Sequence, residues 1–534
     1  MCRVTCVDRH GRAYMVDEKR DSKGCAMSRR AVLGLAAATS VSALAHSAPK
    51  KAASGMNDLV MMDATSLASV IHTRRASCVE VMTAYLDHIE KFNVRVNAIV
   101  ALQDRAELLA QAGERDAHLA RGESMGPLHG FPHAVKDLQA VNGIRTTMGS
   151  PILKDFVPTA DSLMVARLRK AGAIFIGKTN TPEFGLGSHT YNPVYGVTRN
   201  AYNAARSAGG SSGGAAVSLA LRMVPVADGS DYGGSLRNPA GWNSVFGFRT
   251  SIGRIPTDAR DSWLPSMSVV GPMARNVTDL VMLLAVQSGF DAHAPLSLDG
   301  DGSIFQRRLE CNLKGKRVAW GGDFNGHTPC EPGVLEVCAK AVRTFESLGC
   351  IVEEAIPDFD IESVWQAVIR LRGWQQGGSL LGYYNDPAKR PLLKPEAIFE
   401  VETGLSQSAY DITAASVVRT QWYEAVRRFF GRYDYFILPT AQVFPFEVEQ
   451  HWPRAIAGRS MQTYHEWMKA TLLITMSGCP ALAAPAGFGD HGLPIGIQLI
   501  GPNRCELDCL RLAFAYETAS DPAWRRLPDP LSQI

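Results

Sequence analysis

The sequence predicts an α/β protein: one large domain in which a mixed β-sheet is covered by helices on both faces. Three observations predict it. Short apolar runs of β type alternate with segments of helical periodicity, the pattern that builds a parallel or mixed sheet with helices packed on it. The early runs each deliver into a Gly/Ser loop. The same alternation stands on both sides of the Pro/Gly/Asp-rich connection APLSLDGDGS (294–303), which favours one core over two. Length alone, 534 residues, would allow two to four domains.

Residues 1–26 are polar and patternless. Residues 27–48, MSRRAVLGLAAATSVSALAHSA, have a basic start (Arg29, Arg30), an Ala-rich apolar run and an A-x-A cleavage site at Ala43-Leu44-Ala45. The run is about 15 residues long, short of the roughly 20 that a membrane span needs. Ser28-Arg29-Arg30-Ala31-Val32-Leu33 is similar to a twin-arginine signal, which addresses folded proteins for export. The leader, 1–48, therefore predicts a periplasmic protein, with the cytoplasm as the alternative if that signal does not operate. The signal is complete from Met27, so Met1 and Met27 are both candidate starts. The domain proper is expected over 56–534.

Thr65 and Ser77 read as N-caps, and VEVMTAYLDHIEKF (79–92) carries one apolar face at 3–4 spacing. A further helix is expected over Asp104–Ala120. Strand-like runs follow at FPHAV (131–135), AIFIG (173–177) and RMVPVA (222–227), with helices SLMVARLRKAG (162–172) and GAAVSLAL (214–221) between them. Beyond the connection come strand KRVAWGG (316–322), helix VLEVCAKAVRTFESLG (334–349) and strand CIVEEAI (350–356). The Trp/Tyr-rich stretch 365–412 reads as irregular, and strands resume at DYFILP (434–439) and GIQLIG (496–501).

Charge excludes one class of function. The 55 basic and 52 acidic residues nearly balance, and the leader alone carries +4, leaving the rest at −1. Nucleic acid is thus not the main ligand. Of eleven cysteines, three (Cys2, Cys6, Cys25) fall in the leader, and the other eight form no CxxC. HExxH is also absent, so no metal site is read. The eight read as small buried hydrophobes, though a periplasmic address would permit one or two bridges.

Two motif matches fail on mechanism. Gly172-x4-Gly177-Lys178-Thr179 fits the P-loop expression, but its middle, Ala-Ile-Phe-Ile, is a buried-strand sequence where an open phosphate cradle is required. Gly210-Ser211-Ser212-Gly213-Gly214 fits G-x-S-x-G, and His451, His465 and His491 follow in the order a triad needs. No strand precedes it, however, because 199–208 is polar and irregular.

A third constellation joins both serine clusters to a lysine. In GPLHGFPHAVKD (126–137), Lys136 ends an apolar run that would carry its ammonium into the interior. Desolvation there depresses a lysine pKa by 3 units or more, leaving a neutral amine able to act as a base. Asp137 is adjacent, but neighbours on a strand face opposite ways and it need not restore the charge. The alternative is a surface lysine at a strand end.

GFPHAVKD, AGGSSGG (208–214) and GSDYGGSLRNPA (229–240) closely resemble the signature of the amidase signature family of serine hydrolases. The resemblance extends over nearly the whole mature chain, through GKTNTPEF (177–184), FGFRTSIGRIP (246–256), GPMARNVTDL (271–280), LPTA (438–441) and PALAAPAG…GLPIGIQLIGP (480–502). It implies the amidase signature fold and a Ser–cis-Ser–Lys triad in which Lys136, Ser211 and Ser235 match the family's positions. Ser235 would attack an amide carbonyl and Ser211 would pass its proton to neutral Lys136. The backbone N–H groups of Tyr232, Gly233, Gly234 and Ser235 would crowd one oxyanion, where glycine permits the turn. Ser212, Asp231 and Arg237 would brace the loops.

The implied activity is hydrolysis of a carboxylic amide to acid plus amine or ammonia. No cofactor is implied. The expected partner is a small-molecule amide, with no nucleic acid and no stable membrane insertion, and a homodimer is left open. The alternatives are a glutaminase-type subunit of a tRNA-dependent amidotransferase, against which the leader speaks, or a catalytically inactive or nucleotide-binding protein. Two positions depart from the family pattern. Tyr232 replaces a Thr or Ile, and His133, an accessory base or merely a strand residue, replaces a small aliphatic one. Trp365, Trp374, Tyr383 and Tyr384 would shape an acyl pocket for aromatic or apolar amides, or else pack in the core.

Overall fold

The computed structural model describes residues 56–258, 261–264 and 267–532, together with Thr5–Val7 and Ala13–Met15. Residues 1–51 and 52–534 are separate units. Of the first, the two short strands pair antiparallel, and the expected signal segment, 27–48, lies outside the described residues. Among the described residues no helix is long and apolar enough to cross a membrane.

In the second unit two sheets carry the architecture. The smaller has three strands: β1 (Ile99–Val100), β2 (Pro132–Lys136) and β3 (Ile174–Thr179), with β3 central, antiparallel to β1 and parallel to β2. The larger contains β4 (Ala227–Asp231), β5 (Phe246–Arg249), β6 (Val269–Ala274), β7 (Arg317–Trp320), β8 (Ile351–Glu354), β9 (Tyr435–Pro439), β10 (Ala481–Phe488) and β11 (Pro494–Ile500). Its order is β8-β7-β9-β11-β10-β5-β6-β4. The sheet is mixed: β7 runs parallel to β8 and β9, and the remaining pairs are antiparallel. Successive residues of a strand face opposite sides. Every residue of β4, β5, β6, β9 and β11 is buried, so both faces of this sheet are covered.

Most expected elements fall within a residue or two of their places. Ser77 caps the helix Cys78–Val96 in a capping box with Glu80, and Asp104 caps Arg105–Ala120. Thr65 does not cap: Asp63 caps Ala64–His72, and the Thr65 hydroxyl donates to Asp279 instead.

Two larger differences bear on function. RMVPVA is not a strand; the strand follows it as β4, over the polar ADGSD. And 365–412 is not irregular. It holds most of α2 (Ile361–Tyr384), all of α3 (Pro395–Leu405) and the start of α4 (Ala409–Phe429). Glycines lower helix propensity by about 1 kcal/mol each, which obscures the period of α2. Here they permit close packing. A Cβ on Gly377 would lie 2.5 Å from the Glu400 carbonyl oxygen, and one on Gly373 would lie 2.6 Å from Thr403 Cγ2.

Candidate active site

The two sheets meet through side chains at β2 and β4. His133 Nε2 bonds Asp228 Oδ1 at 2.9 Å, and the Lys136 backbone N–H donates to Asp228 Oδ2 at 3.2 Å. Lys136 ends β2, pairing in register with Thr179 of β3. Its side chain enters the space below the glycine clusters.

There the Nζ lies 2.8 Å from Ser211 Oγ, 2.8 Å from Ser212 Oγ and 2.9 Å from Ser230 Oγ, with the Ser230 carbonyl at 3.4 Å. Among the described residues no carboxylate bonds the amine. Burial lowers the Lys136 pKa from 10.5 to about 7, and Asp228 and Asp231 only partly offset it. Asp137 turns away, as strand alternation requires, and accepts from the Thr147 hydroxyl at 2.6 Å.

Ser211 follows a cis Gly210–Ser211 peptide bond, and Ser212 is the N-cap of α1 (Gly213–Ala220). The glycines are demanded by contact: a Cβ at Gly214 would run into the Asn180 backbone nitrogen. Ser235 is tied to this cluster by its carbonyl, which accepts the Ser212 N–H at 3.2 Å. Exposure grades outward across the three groups, 0% at Lys136, 2% at Ser211 and 7% at Ser235. The lysine is thus sealed behind Ser211, and Ser235 is the most accessible of the three.

The turn that carries Ser235 is organised by Asp231. Its carboxylate accepts the N–H groups of Gly234 (2.9 Å) and Leu236 (3.1 Å) and pairs with both forks of Arg237 at 2.9 and 3.0 Å. Burial alone would raise its pKa. Arg237 first and Arg249 second outweigh that and hold it well below the ordinary range. Of the four amides expected to meet one oxyanion, Gly234's is therefore committed to Asp231; those of Tyr232, Gly233 and Ser235 are not drawn to that carboxylate.

The structure thus brings Lys136, Ser211, Ser212 and Ser235 into one neighbourhood, with Asp231 and Arg237 beneath the turn. Ser212 does more than brace, since it bonds the amine directly. Three contributors escaped the sequence reading: Ser230, Asp228 and Arg249, which donates to the Asp231 carbonyl at 2.6 Å. All follow from β4 and β5 lying against the site, and the polar pattern of ADGSD was the one signal available.

His133 is wholly buried on Asp228 and is not directed at the serines. Lys178, the lysine of the P-loop match, is likewise interior, on β3, donating to the Gln139 carbonyl and to Thr146. Of the four aromatic residues, Trp365 is buried in the core and Trp374 packs against it. Tyr383 stacks on Phe184 at 5.7 Å, next to Gly185, whose Cβ would sit 3.3 Å from Ser211 Oγ. Tyr384 bonds Glu402. The eight cysteines beyond the leader are all free thiols.

The chain is similar to known proteins in sequence and in fold. The family model described as Amidase matches residues 80–510. An acylamidase of Rhodococcus erythropolis is 33% identical over 480 residues, covering 89% of this chain and 98% of that protein. The A-type subunit of the glutamyl-tRNA(Gln) amidotransferase of Moorella thermoacetica is 32% identical over 490 residues, covering 88% and 99%. Among solved structures, a bacterial aryl acylamidase of the amidase signature family superposes with a TM-score of 0.81 at 28% identity, over 88% of this chain and 98% of that one.

Proposed function

The chain belongs to the amidase family and is a carbon–nitrogen amide hydrolase, and on that premise we propose that it works through an acyl-enzyme on Ser235, with Ser211 and Lys136 as the proton relay. The observation that carries the proposal is the amine in a nest of hydroxyls, 2.8 Å from Ser211 Oγ. A neutral amine has two N–H donors and one lone pair. Ser212 and Ser230 supply acceptors for the donors, which leaves the lone pair for the Ser211 hydroxyl.

Ser235 Oγ adds to the amide carbonyl while its proton passes to Ser211 and the Ser211 proton passes to Lys136. The carbonyl oxygen becomes an oxyanion facing the amides of Tyr232, Gly233 and Ser235, each donor being worth on the order of 3 kcal/mol. The tetrahedral species collapses, the carbon–nitrogen bond breaks, and the proton returns along the relay to the departing nitrogen, otherwise a poor leaving group. Water then adds to the ester by the same relay, releasing the acid and free Ser235.

Ser235→Ala tests this directly. It is expected to abolish hydrolysis of 4-nitroacetanilide, an anilide chosen for the likeness to aryl acylamidase, with thermal unfolding unchanged; retained turnover would refute the nucleophile. The amidotransferase relatives match nearly as well as the acylamidase. Turnover of glutamine but not of anilides would favour that reading. From the leader sequence we also propose export by the twin-arginine route. A reporter fused to residues 1–50 is expected in the periplasm, and its retention in the cytoplasm would overturn that address.

A further inference from the structure

The turn Tyr232–Ser235 is gripped from chain far outside the glycine clusters. At one end Thr471 Oγ1, on α5 (Lys469–Ser477), donates to the Gly233 carbonyl at 2.7 Å and fills the space that a Cβ on Gly234 would need. At the other, the Tyr232 hydroxyl donates to Gln375 Oε1 at 2.9 Å, and the Arg372 guanidinium carbon lies 4.6 Å from the ring centroid. Arg372 and Gln375 are three apart on α2, hence on one face.

Arg372 is itself fixed. Its Nε donates to Glu400 Oε1 at 2.7 Å and its Nη2 to the Tyr464 hydroxyl at 3.3 Å. Glu400 Oε1 also accepts from Tyr464 and bonds His465 Nε2, the latter at 2.8 Å. Tyr232, Arg372, Glu400, Tyr464 and His465 are all buried. A buried ion cluster carries a heavy desolvation cost that apolar packing would avoid, and this one presents its guanidinium to the Tyr232 ring. The oxyanion turn needs such help. Gly233 offers no side chain to hold, and Gly234 sits at φ +114°, a region open to glycine. Among the three available amides, Tyr232 contributes the large side chain that the fold can grip.

We infer that Gln375 and Arg372 are positioning residues for amide hydrolysis: acting through the Tyr232 side chain, they fix the Tyr232 and Gly233 N–H groups against the developing oxyanion. The inference rests on the acyl-enzyme reading above. Its test uses Tyr232→Phe, Gln375→Leu, their combination, and Arg372→Lys, which keeps the charge but alters its reach to the ring. Each is assayed on 4-nitroacetanilide and for inhibition by phenylboronic acid, which forms a tetrahedral adduct on a serine. Each single variant is expected to lose about tenfold in kcat with KM within twofold, and phenylboronic acid should weaken by the same factor. The double variant should be no worse than the weaker single, as groups acting as a unit are not additive.

Tyr232→Phe and Gln375→Leu turning over within twofold of wild type would overturn the inference. So would a fall in kcat with phenylboronic acid affinity unmoved. Either result, alongside a wild type silenced by Ser235→Ala, leaves the acyl-enzyme reading standing. Wild-type turnover that survives Ser235→Ala removes both.

Discussion

Lys136 should make the fold weaker in acid, by an amount its burial sets. The amine is fully buried, and desolvation takes its pKa from 10.5 to about 7. In the unfolded chain it returns to its ordinary value. Between pH 7 and 10.5 the unfolded state therefore binds more protons than the folded one, and stability rises with pH across that window. The depression is equivalent to about 5 kcal/mol at 1.36 kcal/mol per unit, and that cost is fully present below pH 7. The two titration curves give a change of about 3 kcal/mol between pH 6 and pH 9.

Lys136→Met keeps the length of the side chain and removes the titration. Denaturation of wild type and variant at both pH values, followed by tryptophan fluorescence, isolates this term because the other titrating groups are shared. The variant is expected to gain about 3 kcal/mol on the wild type on going from pH 9 to pH 6, while losing hydrolysis at both. In the wild type, kcat/KM should fall tenfold per pH unit below about 7. A stability difference that does not move with pH would mean that folding leaves the lysine titration where it was, and the neutral base would go with it.

Three further substitutions test the packing around the site. Gly377→Ala should gain up to about 1 kcal/mol from helix propensity, yet its Cβ would lie 2.5 Å from the Glu400 carbonyl. A net loss of about 2 kcal/mol, read as a lower Tm, is expected. Gly234→Ala combines a φ of +114° with a Cβ 2.5 Å from Thr471 Oγ1, and should cost both stability and nearly all turnover. Asp231→Asn strips the charge from between Arg237 and Arg249. It should destabilise by about 3–5 kcal/mol, the cost of breaking a buried pair, measured by chemical denaturation.

What the sequence disclosed and what it hid have physical reasons. Lys136 was legible because a charge closing the apolar run FPHAV is expensive unless it has work to do. The serine-bearing glycine clusters were legible because glycine marks close backbone approach. β4 was hidden because ADGSD looks like a loop. Its Asp228, Ser230 and Asp231 are polar because they face His133, Lys136 and Arg237, not because they face water. α2 was hidden for the opposite reason, since its Gly373 and Gly377 read as breakers but serve contact with α3. The grip of Gln375 on Tyr232 spans 143 positions, and no local period encodes such a pair.

Burial lowers the lysine pKa, and the nearby carboxylates, which bond other partners, offset that only in part. Asp231 is satisfied by Arg237 and Arg249, and Asp228 by His133 Nε2 together with the Lys136 backbone N–H. Both carboxylates pull the Lys136 pKa upward, Asp228 more than Asp231. Removing a donor from Asp228 leaves its charge less compensated, and the ammonium of Lys136, which Asp228 already favours, is a cation able to answer. His133→Leu should therefore raise the lysine pKa, so that a smaller fraction is neutral at pH 7. The acid limb of kcat/KM is expected to move up by about one unit, with activity recovered near pH 9. That recovery separates an electrostatic effect from damage to the fold, which alkali would not repair. An acid limb left at about 7 in His133→Leu would mean that the histidine only fills space beside Asp228.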